Sequence, residues 1–94
     1  MGLNKPGKEL ADVFTSIDNK KDMEEFFGEI FTPKEIDDIS LRWQLMKDLH
    51  AGKTQRGIAA DHKISLCKIT RGSKQLKKGD SISLKMLNKI YGKK

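Results

Sequence analysis

Thr54-Gln55-Arg56-Gly57-Ile58-Ala59-Ala60-Asp61-His62-Lys63-Ile64-Ser65-Leu66-Cys67-Lys68-Ile69-Thr70-Arg71-Gly72 decides the fold. The stretch reads as two short helices joined by a tight turn. Thr54 caps the first, over Gln55 to Asp61, and His62-Lys63 turns the chain. Ser65 caps the second, over Leu66 to Arg71, and Gly72 stands where a helix ends. Ile58 and Ala59 face inward, Ile64 follows the turn, and Ile69 packs back from the second helix. A helix-turn-helix needs such apolar contacts to hold its angle. Lys63 departs from the pattern, since glycine is usual in the turn. The spacing also fits an ordinary helical hairpin, so the partner has to be argued from charge.

The charge is divided along the chain. Residues 1–51 carry 7 Lys/Arg against 11 Asp/Glu, and residues 52–94 carry 12 against 2. The whole chain is at +6. An acidic half followed by a strongly basic one predicts a surface that faces a polyanion. A solvated lysine-rich tail would give the same balance. The helix-turn-helix spacing inside the basic half favours DNA.

Upstream, three more helices are predicted. Residues 1–7, with Pro6 and two glycines, read as a flexible arm. Leu10, Val13, Phe14 and Ile17 then make an apolar stripe at helical spacing, and Met23, Phe26, Phe27 and Ile30 repeat it. Asp18-Asn19 separates the two, and the second ends near Phe31. Thr32-Pro33-Lys34-Glu35 is a helix start, with Thr32 as cap, Pro33 in the first turn and Glu35 closing a capping box. This third helix runs to about His50 and stops at Gly52. Downstream, residues 73–80 read as a loop carrying Lys74, Lys77 and Lys78. Ile82, Leu84, Met86, Leu87, Ile90 and Tyr91 then form a last helix, capped by Asp80 or Ser81. The fold class is all-α, with about six helices and a central helix-turn-helix.

On the wheel of the third helix, Ile36, Trp43, Ile39, Met46, Leu49 and Leu45 cover half the circumference, and Arg42 lies inside that arc. An arginine on an apolar face snorkels to water, pairs with an acid or holds a ligand. The residues alone leave these open.

Other classes recede. The chain holds 94 residues and one cysteine, Cys67, so it fits one domain without an internal disulfide and suits a reducing cytoplasm. No apolar run approaches the roughly 18 residues of a membrane span, and the start lacks the apolar centre of a secretory signal. No nucleophile–base pair, phosphate loop or metal cluster is legible, so an enzyme is not expected. His50 and His62 read as surface or cap residues.

Ile69-Thr70-Arg71-Gly72-Ser73-Lys74-Gln75-Leu76-Lys77 resembles the signature of the bacterial Trp repressor family. Phe31-Thr32-Pro33-Lys34-Glu35 is similar to the start of that family's third helix. Ala51-Gly52-Lys53-Thr54-Gln55-Arg56 is similar to its lead into the helix-turn-helix. The resemblance covers about residues 31–91, in order. It implies an intertwined homodimer that binds palindromic operator DNA when L-tryptophan is bound as corepressor, with no metal. Domain boundaries would be an arm over 1–7 and a single domain over 8–94. Within it, 8–50 would be the dimerisation core, 54–72 the helix-turn-helix and 81–92 the last helix.

The resemblance also implies site residues. Arg42 and Arg71 would flank the indole ring, which suits guanidinium planes. Arg71 and Thr32 would hold the carboxylate, and the carbonyls of Ile30 and Phe31 the ammonium. Gly72 and Gln75 belong to the same implied set. For DNA, the implied residues are Gln55, Arg56, Ser65, Leu66, Cys67, Lys68, Thr70, Arg71 and Lys77. Arg71 could instead serve as a phosphate contact alone, and Cys67 as a core cysteine. Ala59, Lys68 and Gln75 depart from the family: a basic, a small and a serine residue are usual there. The linker before Gln55 is one residue shorter. Two other readings compete: a ligand-independent, replication-initiator-like DNA-binding domain and a non-specific nucleic-acid-binding structural protein.

Overall fold

The computed structural model describes residues 2–93. All regular structure in them is helical: α1 (Lys5–Ser16), α2 (Lys20–Ile30), α3 (Pro33–His50), α4 (Gln55–His62), α5 (Leu66–Leu76) and α6 (Ile82–Tyr91). The chain falls into two compact units, Met1–Ile36 and Asp37–Lys94.

In the first unit the helix starts and stops follow local chemistry. α1 begins at Lys5, not at Lys8 as the sequence predicts. Asn4 Oδ1 accepts the Gly7 N–H at 2.8 Å, and Pro6 sits in the first turn, where its missing N–H costs nothing. Residues 5–7 are therefore helical rather than part of an arm; Met1 lies outside the described residues. Asn19 caps α2 by accepting the Asp22 N–H at 2.8 Å. The capping box ahead of α3 is closed in both directions. Glu35 N–H donates to Thr32 Oγ1 at 3.1 Å, and Thr32 N–H to Glu35 Oε1 at 2.9 Å. The packing is aromatic. Phe14 meets Phe26 and Phe27 edge-on at 5.4 and 5.8 Å, and Phe27 meets Phe31 at 5.4 Å. Even so, neither α1 nor α2 fully buries any side chain.

In the second unit, α3 ends at His50 as expected. Gly52 takes a left-handed φ of +94°. That lets Gly52 N–H reach Leu49 O and Lys53 N–H reach Asp48 O, at 3.0 and 3.1 Å, satisfying two orphan carbonyls. Thr54 caps α4, accepting the Gly57 N–H at 3.0 Å. Lys63 adopts φ 55° and ψ 48°, the left-handed geometry that glycine would take without strain. Ile64 N–H can then donate to Ala59 O at 3.1 Å.

The core of this unit is Leu45 of α3, Ile58 of α4 and Ile69 of α5, with Leu41, Leu49, Ala59 and Ile64 packed around them. The inward residues predicted for the helix-turn-helix thus pack together. Two expectations need correction. α5 does not end at Gly72 but runs to Leu76, so the following loop is four residues shorter at its start. Gly72 is buried, and a Cβ there would lie 3.7 Å from both Met46 Cγ and Leu49 Cδ1. It lies beside α3, where a methyl group would make ordinary contact, and it does not end the helix. The buried face of α3 is also rotated from the predicted arc. Leu41, Leu45, Asp48 and Leu49 face the core, whereas Ile39 and Arg42 are exposed.

Candidate nucleic-acid interface

α5 lies between two neighbours, since it packs on both α4 and α6. Its inward side is fixed by Ile69, Gly72 and Ser73, all buried. Every other position from Leu66 to Gln75 is exposed. Cys67, Thr70, Arg71, Lys74 and Gln75 line one shallow groove on that outward face. Spacings of three, four and seven residues put them on one helical stripe. The stripe can offer hydroxyl, guanidinium, ammonium and amide groups, with a thiol near its start.

The N-terminal ends of the two helices converge on this face. Thr70 Oγ1 lies 3.3 Å from Gln55 Oε1, so the first residue of α4 is tied to the middle of α5. The single Thr70 hydroxyl proton is shared between that oxygen and Leu66 O, which lies at 2.9 Å. Arg56 is exposed in the first turn of α4, and Ser65 and Leu66 are exposed at the start of α5. Ser65 makes no side-chain cap bond, which departs from its predicted capping role and leaves its hydroxyl to other partners. Cys67 is exposed and free, so it is not a core cysteine. Lys68 and Lys77 are exposed as well. Lys74, read from the sequence as a loop residue, belongs to the α5 groove because the helix continues past Gly72.

Not all predicted residues share this groove. Gly72 faces Met46 and Leu49, away from Gln75. Arg42 stands one helical turn before Met46 and so on its side of α3. The α3–α5 crossing therefore lies one turn from Arg42 and one residue from Arg71. Ile30, Phe31 and Thr32 belong to the other compact unit. There, Ile30 ends α2, where a helix leaves its last carbonyls without intrahelical donors. Thr32 Oγ1 accepts the Glu35 N–H, which leaves its hydroxyl proton free to donate.

Behind the groove stands a polar cluster that the sequence reading missed. Asp48 is only 5% exposed. Its Oδ2 lies 2.9 Å from His62 Nε2, and its Oδ1 accepts from Gln44 Nε2 at 3.0 Å and Lys53 Nζ at 3.5 Å. Burial pushes the Asp48 carboxyl upward, but the bonds from His62 and Gln44 and the Lys53 charge outweigh it and hold the group below its ordinary range. His50, also buried, sets its Nε2 2.9 Å from Asn88 Oδ1 of α6. His50 is thus buried and not on the surface as expected, while His62 is partly exposed at the last turn of α4 and paired with Asp48. The signal was present: Leu41, Leu45 and Asp48 share one helical stripe, and a carboxylate on such a stripe needs partners.

Two short helices at a fixed angle, an exposed polar face on the second and a surrounding excess of lysine define a helix-turn-helix DNA-binding protein. A family model described as Trp repressor protein matches residues 7–90. The chain belongs to the Trp repressor family, one of DNA-binding transcriptional repressors and not of enzymes. Searches of curated proteins and of solved structures give no significant match. No helix among the described residues is long and apolar enough to cross a membrane, and no three His, Cys, Asp or Glu side chains among them are grouped to hold a metal ion.

Proposed function

We propose that the protein is a cytoplasmic, homodimeric repressor that binds palindromic operator DNA when L-tryptophan occupies a pocket beside α5, and that it controls genes of tryptophan supply. The carrying observation is the outward face of α5, whose polar groove is held at a fixed position by Ile58, Ile69 and Leu45. Ser65, Leu66, Cys67, Lys68 and Thr70 would meet base edges. Gln55, Arg56 and Lys77 would meet phosphates, which supply most of the affinity and fix register. Leu66 offers an apolar contact of the kind that reads a thymine methyl.

The ligand reading is supported by the α3–α5 crossing. Gly72 lies against Met46 and Leu49 there; Arg71 is its neighbour in the chain, and Arg42 stands one helical turn before Met46. Guanidinium planes suit an indole face, and Arg71 suits a carboxylate. The family resemblance adds Thr32 and the carbonyls of Ile30 and Phe31 to the proposed ligand residues. Gln75 would border it on the groove side. The ligand acts only through binding one arrangement of the reading head better than others.

Dimerisation is supported by the first unit. Four phenylalanines touch one another there, yet α1 and α2 bury no residue, and Val13 and Ile30 remain open. A core this incomplete calls for a second chain. Residues 8–50 would then be the dimerisation core, 54–72 the reading head and 81–92 a closing helix. As is general for dimeric helix-turn-helix proteins, Trp repressors among them, half-sites should sit one DNA turn or a multiple apart. Selecting duplexes from a random pool, with and without L-tryptophan, tests the reading. A two-fold symmetric site enriched only with tryptophan is expected. Enrichment indifferent to tryptophan would favour the ligand-independent alternative, and no enrichment at all the non-specific one.

A further inference from the structure

We infer that Asp48 and His62 form a latch that positions the reading head against α3, and that this latch, specific to side chains outside the groove, is required for full DNA affinity. The inference rests on the DNA-binding reading of α5.

The apolar contacts between α3 and the helix-turn-helix have no directional preference. Leu41, Leu45 and Leu49 would tolerate small rotations of α4 and α5 over them. A hydrogen bond between two specified atoms does not. Asp48 is the group through which α3, the following turn and the far end of α4 meet. Oδ1 is used by Gln44, in the same helix, and by Lys53, in the turn. Oδ2 is left for His62, the last residue of α4, fourteen positions along the chain. The carboxyl is held ionised, so it can only accept, and the proton of this bond sits on His62 Nε2. Charge-assisted bonds of this kind are short and strong, and the carboxylate end of this one is buried.

Its position matters. His62 directly precedes Lys63, whose left-handed turn sends the chain into α5. The latch therefore clamps the reading head at its turn, while Thr70 and Gln55 join the two helices at the other end. Any rotation of the head that carries α5 away must lengthen the Asp48–His62 bond. The neighbouring His50–Asn88 pair is an internal control, since it joins the same turn of α3 to α6 and not to the head.

Three variants of the full-length protein test this. His62→Leu keeps bulk and removes the donor, His62→Gln restores a donor at nearly the same reach, and Asn88→Ala breaks only the α6 bond. Two quantities are read with L-tryptophan saturating and under conditions where each variant is folded: amide exchange across α4 and α5, and affinity for a mixed-sequence duplex of roughly 30 base pairs. His62→Leu should speed exchange in α4 and α5 and weaken duplex binding by about threefold to tenfold, the scale of one lost intramolecular hydrogen bond. His62→Gln should recover most of both. Asn88→Ala should lower the melting temperature and leave both near the native values. Native duplex affinity in His62→Leu, or an equal loss in Asn88→Ala, overturns the latch. If the native protein binds no duplex at all, it is the DNA-binding reading that fails; the exchange pattern alone then decides whether His62 holds the head.

Discussion

His62 Nε2 and Asp48 Oδ2 stand 2.9 Å apart beneath the reading head, joining the end of α4 to a nearly buried carboxylate of α3. The Asp48 carboxyl is held below its ordinary range, so its folded form binds fewer protons than the unfolded chain in acid. Its contribution is complete above the unfolded carboxylate value, about pH 4, and disappears as pH falls through the lower folded value. Asp48→Ala should therefore cost about 1–3 kcal/mol near neutrality and flatten the acid limb of stability against pH. Denaturant unfolding at a series of pH values checks both. An unchanged acid limb would mean that Asp48 is not the group concerned.

Lys63 holds a left-handed conformation in the turn of the helix-turn-helix. L-residues pay roughly 1–2 kcal/mol there, partly offset in glycine by greater freedom of the unfolded chain. Lys63→Gly should raise stability by about 0.5–1 kcal/mol, and Lys63→Val should lower it. Thermal melts of the two variants measure this.

At the crossing of α5 with α3, the space beside Gly72 admits one methyl group at ordinary contact distance from Met46 and Leu49. Gly72→Ala should be neutral, or stabilising by up to about 1 kcal/mol through helix propensity. Gly72→Leu should overpack the crossing and cost about 1–3 kcal/mol. Equal melting temperatures for both would show that the helices are not in contact there.

Much of this architecture is legible in the residues because it is set locally. The Thr32–Glu35 box, the Thr54 cap and the Gly52 stop each depend on partners within five positions. Ile58, Ala59, Ile64 and Ile69 were readable as inward because helix spacing fixes their side. Gly72 misleads by the same reasoning. Glycine marks helix ends, but Gly72 is buried against Met46 and Leu49 and the helix continues past it to Leu76. The histidines illustrate the other limit. His62 finds Asp48 across fourteen residues and His50 finds Asn88 across thirty-eight, so no local pattern announces either pair. Lys74 lies in the groove because α5 runs on from Gly72 to Leu76, an extent that no local signal marks.

Arg56 is exposed in the first turn of α4, where a phosphate contact needs charge and little else. Arg56→Ala should weaken binding to all duplexes alike and reduce the slope of log affinity against log salt by about 1. A loss confined to one sequence would place Arg56 at a base edge instead.

Arg71 bears the heaviest assignment, because it lines the α5 groove and directly precedes Gly72, which faces Met46 and Leu49 of α3. The most direct test is a footprinting titration of the selected duplex by native protein and by Arg71→Leu, each with and without saturating L-tryptophan. Native protein should protect two half-sites with at least about tenfold higher affinity when tryptophan is present, within the usual range of allosteric coupling. Arg71→Leu should show no such gain. Full tryptophan-enhanced protection by Arg71→Leu would contradict the proposed pocket.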